Sequence, residues 1–227
     1  MQAKIPFPLL IALLSGFCKA SQASECSDID RLVATTPSPP STVARWTTFQ
    51  KKQSSPFKRV EIALIGDSLA EYWPAQIIEK AFRPVWNFGV GGDQTEQVLW
   101  RLSSDRLRET TPDRVLIVLG TNDLYNRQKP CGVIVGLRAV VGRVKELWPS
   151  TTVAFLEIPP RGRDFTELSA QRAEVNQAMR DSGIKTFSVN EALTCSGRQP
   201  CENYQSDNLH FSVKGYEALT DLIQNWR

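Results

Sequence analysis

A regular alternation of short apolar strands with longer helical stretches constrains this chain more than any other feature. Val60-Glu61-Ile62-Ala63-Leu64-Ile65 reads as a strand, followed by 85–88, 115–119, 153–158 and 186–189. The third, Val115-Leu116-Ile117-Val118-Leu119, is an unbroken apolar run, the pattern of a strand buried on both faces of a parallel sheet. Helical stretches are expected at 69–82, 95–109, 132–148 and 167–182, with a last one near 212–226. A further helix, 43–53, carries Trp46 and Phe49 on one face. Alternation of this kind implies a parallel sheet covered on both sides. With right-handed crossovers, the expected α/β fold is a flavodoxin-like three-layer α/β/α sandwich with a five-stranded parallel sheet. At 227 residues and 41% hydrophobic composition, the chain suits one domain with a full core.

The N-terminus precedes that pattern. Lys4, the apolar run 5–17 and the small or polar residues Lys19-Ala20-Ser21-Gln22-Ala23 have the layout of a secretory signal peptide. The run is too short to span a bilayer, which takes roughly 20 apolar residues. Ser21-Gln22-Ala23 is a better cleavage pattern than one ending at Ala20, and Phe17 before Cys18 fits a lipoprotein signal poorly. The expected division is a signal peptide at 1–23, a Pro-rich extended lead-in at 24–42 and one catalytic domain at 43–227. The expected location is outside the cytoplasm, with no membrane span in the mature protein. The formal net charge of +3 falls to about +1 once Lys4 and Lys19 leave. Without dense Lys/Arg clustering, no nucleic-acid partner is expected.

Cysteine usage agrees with export. Cys18 leaves with the signal, so Cys26, Cys131, Cys195 and Cys201 remain, an even number that suggests disulfides. Cys195 and Cys201 flank a short loop with Gly197 and Pro200, where a local bridge is sterically reasonable; Cys26 and Cys131 are then left for each other. Free buried thiols are the alternative. Zinc is disfavoured by the lack of C-x-x-C spacing and by a single histidine.

In open parallel sheets, functional residues gather at the carboxyl ends of strands. The first strand ends in Gly66-Asp67-Ser68, the second in Gly89-Val90-Gly91-Gly92 and the third in Gly120-Thr121-Asn122-Asp123. Ser68 stands where a strand turns into a helix, so it is either a helix cap or a nucleophile beside a helix N-terminus. His210 is the one histidine, and Asp207 three residues earlier can take its Nδ1 proton and leave Nε2 as a base. Gly91-Gly92 lacks the Lys-Ser/Thr of a phosphate loop; a glycine N–H there could instead join that of Ser68 in an oxyanion hole. Asn122 offers a side-chain amide from the neighbouring strand end, or forms a turn through its own backbone. Asp67 and Asp123 are read as loop-holding acids.

Together these blocks resemble the SGNH (GDSL-type) hydrolase family: Gly66-Asp67-Ser68-Leu69, Asn87-Phe88-Gly89-Val90-Gly91-Gly92-Asp93, Gly120-Thr121-Asn122-Asp123 and Asp207-Asn208-Leu209-His210. Within it the chain looks similar to the platelet-activating-factor acetylhydrolase catalytic subunits and their bacterial relatives, mainly through Asn87 to Leu102, with Pro160-Arg161-Gly162 and the Trp46 helix in support. It departs from those cytosolic subunits in its export signal and its four mature cysteines. The resemblance implies Ser68 as nucleophile, His210 as base and Asp207 as its orienting partner. It also implies oxyanion donors at the Ser68 N–H, the Gly92 N–H and the Asn122 side chain. Leu69, Thr121 and Leu209 are implied to border a small acyl pocket; the plain alternative is that the two leucines are core residues facing away.

The expected reaction is hydrolysis of short-chain, chiefly acetyl, esters through an acyl-enzyme, without cofactor or metal. A carbohydrate O-acetylesterase acting on polysaccharide or envelope glycans, and a broader lysophospholipase or thioesterase, are the enzymatic alternatives. A silent SGNH-like binding module is the non-enzymatic one, disfavoured because Ser68, Asp207 and His210 are all present.

Overall fold

The computed structural model describes residues 26–198 and 201–226. The expected signal peptide, with Cys18, lies outside the described residues. In chain order the elements are α1 (Asp28–Thr35), α2 (Val43–Lys52), β1 (Arg59–Gly66), α3 (Ser68–Glu71), α4 (Ala75–Ile78), β2 (Val85–Gly89), α5 (Thr95–Arg101) and β3 (Thr111–Val118). They continue with α6 (Thr121–Tyr125), α7 (Pro130–Leu147), β4 (Thr152–Leu156), α8 (Ser169–Asp181), β5 (Lys185–Phe187), α9 (Asn190–Leu193) and α10 (Val213–Ile223). The strands form one parallel sheet in the order β2-β1-β3-β4-β5, the flavodoxin-like arrangement expected from the alternation.

Successive residues of β1 point to opposite faces, so one apolar strand feeds two cores. Ala63 and Ile65 join Phe88, Ile117 and Phe155 beneath residues of α5, α7 and α8 such as Val98, Val140 and Val175. Ile62 and Leu64 join Leu116 and Leu156 beneath Ile78 of α4 and Leu219 of α10. This two-sided burial is why the strands read as continuous apolar runs.

Four expectations are corrected. The lead-in 24–42 is not wholly extended: Asp28–Thr35 is a helix, started by a capping box in which the Ser27 hydroxyl accepts from the Asp30 N–H while Asp30 bonds the Ser27 N–H. Its Cys26 is bonded to Cys131 in the first turn of α7, and Lys129 pairs with Asp30 at 2.9 Å. The stretch 69–82 is two short helices, because Pro74 has no N–H to continue the first. The stretch 95–109 likewise breaks after Arg101 into a separate 3₁₀ turn, Asp105–Glu109. The third strand also begins earlier than its apolar run: Thr111 pairs with Arg59 and Pro112 with Val60 ahead of Val115.

Cys195 and Cys201 form the second disulfide, with Cα atoms 5.6 Å apart. Among the described residues no helix is long and apolar enough to cross a membrane.

Candidate active site

The site is assembled at the carboxyl end of the sheet. β1 ends at Gly66, where any Cβ would collide with the Val118 carbonyl of β3, so only glycine lets the two strand ends close. Asp67 is the N-cap of α3, and its Oδ1 accepts from the Leu69 N–H at 2.9 Å. The capping role thus falls to Asp67, and Ser68 opens the helix with its hydroxyl free for another partner. That partner is His210: Nε2 lies 3.0 Å from Ser68 Oγ. On the other side of the ring, Nδ1 lies 2.6 Å from Asp207 Oδ2. With the ring proton on Nδ1, Nε2 is left as the acceptor that can draw a proton from the hydroxyl.

Asp207 and His210 lie in a loop before α10, not on a helix. The Asp207 Oδ1 accepts from the backbone N–H groups of Leu209 and His210 at 3.0 and 2.9 Å, which curls the loop around the carboxylate. An antiparallel bridge between Tyr204 and Phe211 closes its base, and Gly162 donates to the Asn208 carbonyl at 3.0 Å. Burial opposes ionisation of Asp207, but the bonds from the His210 ring and the two N–H groups outweigh it and hold the carboxyl below its usual range.

Gly92 has φ +75°, a left-handed conformation, and a Cβ there would collide with the Arg45 guanidinium. Asn122 donates from Nδ2 to the Asp93 carbonyl at 3.0 Å, which orients the amide and leaves its second N–H available. Ser68, Gly92, Asn122, Leu209 and His210 line one cavity of about 450 Å³. The other two expected wall residues do not share that lining. Leu69 is 1% exposed and packs in the core beside Ile62 and Leu64, because the second residue of α3 points back at the sheet. Thr121 is 2% exposed and accepts from Arg161 Nη1 at 3.3 Å. Of the three, only Leu209 stands on the cavity wall.

Sequence reasoning missed what lies underneath. Arg101, fully buried, reaches three parts of the rim: Nε to Asp93 Oδ2 at 2.7 Å, Nη1 to the Phe88 carbonyl at 2.7 Å and Nη2 to the Gly66 carbonyl at 3.1 Å. An arginine ending a helix ordinarily reads as surface, so only the tertiary contacts identify it. Glu71 and Arg45 also face the cavity, and neither carried a sequence signal.

Burial dominates the acids here. It pushes Asp67 up to about 8 and Asp123 to about 7, even though Asp67 accepts from Leu69 and Asp123 from the Thr95 N–H and hydroxyl. Unfolded, each would titrate near 4. Between those values the folded protein binds more protons, so stability contributed at acid pH is lost as pH rises from about 4 towards 8. We expect the melting temperature to fall across that window, and Asp67→Asn with Asp123→Asn to flatten the slope. Thermal unfolding at several pH values checks this; an unchanged slope in the double variant counts against these groups.

A parallel α/β/α sandwich thus holds a strand-end serine in reach of a His–Asp pair, an arrangement suited to proton transfer at that hydroxyl. The chain belongs to the GDSL-like lipase/acylhydrolase family, whose model matches residues 64–218. It is 33% identical over 141 residues to platelet-activating factor acetylhydrolase IB subunit alpha1 from Rattus norvegicus, a match covering 60% of each chain. It is 30% identical over 170 residues to the alpha2 subunit from Homo sapiens, covering 71% of this chain and 73% of that one. The lipase/acylhydrolase from Enterococcus faecalis superposes with TM-score 0.58 at 25% identity, covering 74% of this chain and 94% of that one.

Proposed function

We propose that the protein is a serine esterase that hydrolyses short-chain, chiefly acetyl, esters through an acyl-enzyme. The observation that carries this reading is the continuous Ser68–His210–Asp207 relay, with contacts of 3.0 and 2.6 Å. Ser68 Oγ attacks the ester carbonyl while His210 Nε2 takes its proton. The Ser68 N–H, Gly92 N–H and Asn122 Nδ2 face the oxyanion. His210 then gives the proton to the departing alcohol, and water repeats the sequence on the acyl-enzyme. The two disulfides favour an exported protein.

Leu209 on the cavity wall limits the acyl chain. Rates on acetyl, butyryl and hexanoyl nitrophenyl esters should decline stepwise, since a methylene in such a pocket counts for about 1–3 kcal/mol. Leu209→Ala should move the optimum towards longer chains. Octanoyl esters cleaved as fast as acetyl esters by the wild type would reject the short-chain assignment and favour a lysophospholipase or thioesterase.

Asn122→Ala should lower kcat by about 10²–10³ with little change in KM, because the bond to the oxyanion strengthens in the transition state. Steady-state kinetics separates the two; a rise in KM alone would make Asn122 a binding residue.

One observation favours a glycan ester as the alcohol portion. Across α6 lies a second cavity of about 620 Å³, where exposed Tyr125, with the Arg161 guanidinium over its ring at 4.5 Å, sits with Arg127, Gln128, Lys129, Glu167 and Gln171. The ring face left open by Arg161, with amides, a carboxylate and two cations around it, suits a sugar ring. Comparing acetylated xylo-oligosaccharides with nitrophenyl acetate tests this reading.

A further inference from the structure

The cavity beside Ser68 holds a cation whose neighbouring carboxylates are each bonded to another group, although Asp93 still acts on it through its charge. Arg45, on α2, is half-buried and lines the same cavity as Ser68, Asn122 and His210. Its guanidinium lies across the face of Gly92: a Cβ built there would meet Nη2, Cζ and Nε together. Only a glycine at this position leaves room for that placement. Nη1 donates to Ser41 Oγ at 3.0 Å, which steadies the group from behind. Two carboxylates lie close enough to matter, and both have other partners. Asp93 is bonded to Arg101 at 2.7 Å with both side chains fully buried. Glu71, on the cavity wall, accepts the Gly91 N–H at 2.5 Å and faces Lys52 at 3.8 Å, whose Nζ also donates to the Gly89 carbonyl at 2.8 Å. Among the described residues no carboxylate pairs with Arg45.

A guanidinium carries five N–H donors in a rigid fork shaped for carboxylate and phosphate oxygens. Here it stands beside the reacting serine, with donors to spare. Resting on the esterase reading, we infer that Arg45 is a specificity residue: it selects esters whose alcohol portion bears an oxyanion, a carboxylate or a phosphate. The anion falls on the alcohol portion because Leu209 keeps the acyl portion short.

The test compares wild type, Arg45→Gln and Arg45→Lys. The substrates are 3- and 4-acetoxybenzoate and 4-acetoxyphenyl phosphate, set against uncharged 4-acetoxybenzamide, each rate divided by its spontaneous hydrolysis. The wild type is expected to prefer an anionic ester in kcat/KM by on the order of ten-fold at low salt, the effect of one charge-assisted bond. Added salt should shrink that preference. It should collapse in Arg45→Gln and survive in part in Arg45→Lys. Whichever anion gives the larger ratio identifies the group recognised. Equal rates on charged and uncharged esters in the wild type overturn the inference, as does a preference that persists in Arg45→Gln. So does an Arg45→Gln variant that slows all four esters alike, which would make Arg45 a general electrostatic or structural element. A binding arm separates this inference from the reaction it rests on. Calorimetric titration of 4-hydroxybenzoate against 4-hydroxybenzamide reads Arg45 without turnover. If none of the esters is cleaved, the esterase reading fails. Arg45-dependent binding of 4-hydroxybenzoate would still uphold the anion site, and its absence would overturn that too.

Discussion

Ser68→Ala is expected to lower hydrolysis of nitrophenyl acetate by roughly 10⁴–10⁶ while leaving thermal unfolding unchanged. The size follows from the geometry. Ser68 Oγ, 3.0 Å from His210 Nε2, is the one atom of the relay positioned to attack a carbonyl in the cavity. In the proposed mechanism, removing it leaves His210, Asp207 and the proposed oxyanion donors without a nucleophile to serve. Those groups can still orient an ester and water, so a small residual rate above the uncatalysed one is expected. Stability should hold because the hydroxyl does not cap α3; that bond runs from the Leu69 N–H to Asp67. Kinetics and a melting curve on the same preparation check both halves. A variant that keeps a tenth of the wild-type rate would remove Ser68 from the nucleophile role.

The second large effect concerns stability. Arg101→Met is expected to destabilise the protein by about 3–5 kcal/mol, the cost of stranding a buried charge. Asp93 would lose its hydrogen-bonded cation, and the Gly66 and Phe88 carbonyls would each lose the Arg101 donor, Gly66 keeping the Val90 N–H. For a domain of this size, each kcal/mol shifts the melting temperature by roughly 2–4 °C. The fall should therefore be on the order of 10 °C. Adding Asp93→Asn to Arg101→Met should recover part of the loss, because the unpaired charge is then gone. Denaturant unfolding of the two variants decides this. A single variant within 1 kcal/mol of wild type would show that the pair contributes little.

Activity should fall in Arg101→Met as well. Arg101 joins the ends of β1 and β2 to Asp93, and the Asp93 carbonyl in turn orients Asn122. The arrangement of the proposed oxyanion donors therefore rests on a side chain outside the cavity lining.

Much of the scaffold was legible because its signals are local. Val115 to Leu119 announces a strand buried on both faces, and the alternation of strands and helices leaves few topologies open. The three strand ends that converge on the cavity were each marked by glycine and small polar residues. Asp207 and His210 lie three residues apart, so their pairing could be read directly, although a backbone loop achieves it and not a helical turn. The Ser27–Asp30 capping box was also present in the sequence, masked by the prolines after it. Pro74 likewise marked the break between α3 and α4.

What the sequence by itself determined was the α/β sandwich and which residue types meet at its rim, since both follow from periodicity and from residues close together in the chain. Only the tertiary structure decided the distances that make a site. Ser68 and His210 are 142 residues apart and touch because α10 and its preceding loop pack against the same end of the sheet as α3. Leu69 turned to the core while Leu209 stayed on the wall, a difference of side-chain direction that adjacency to a key residue does not reveal. Arg101 and Arg45 look alike in sequence, yet one is sealed under the rim by three acceptors and the other faces the cavity. The environment of a charge is set by whatever the fold brings to it from elsewhere in the chain, and that is a long-range property.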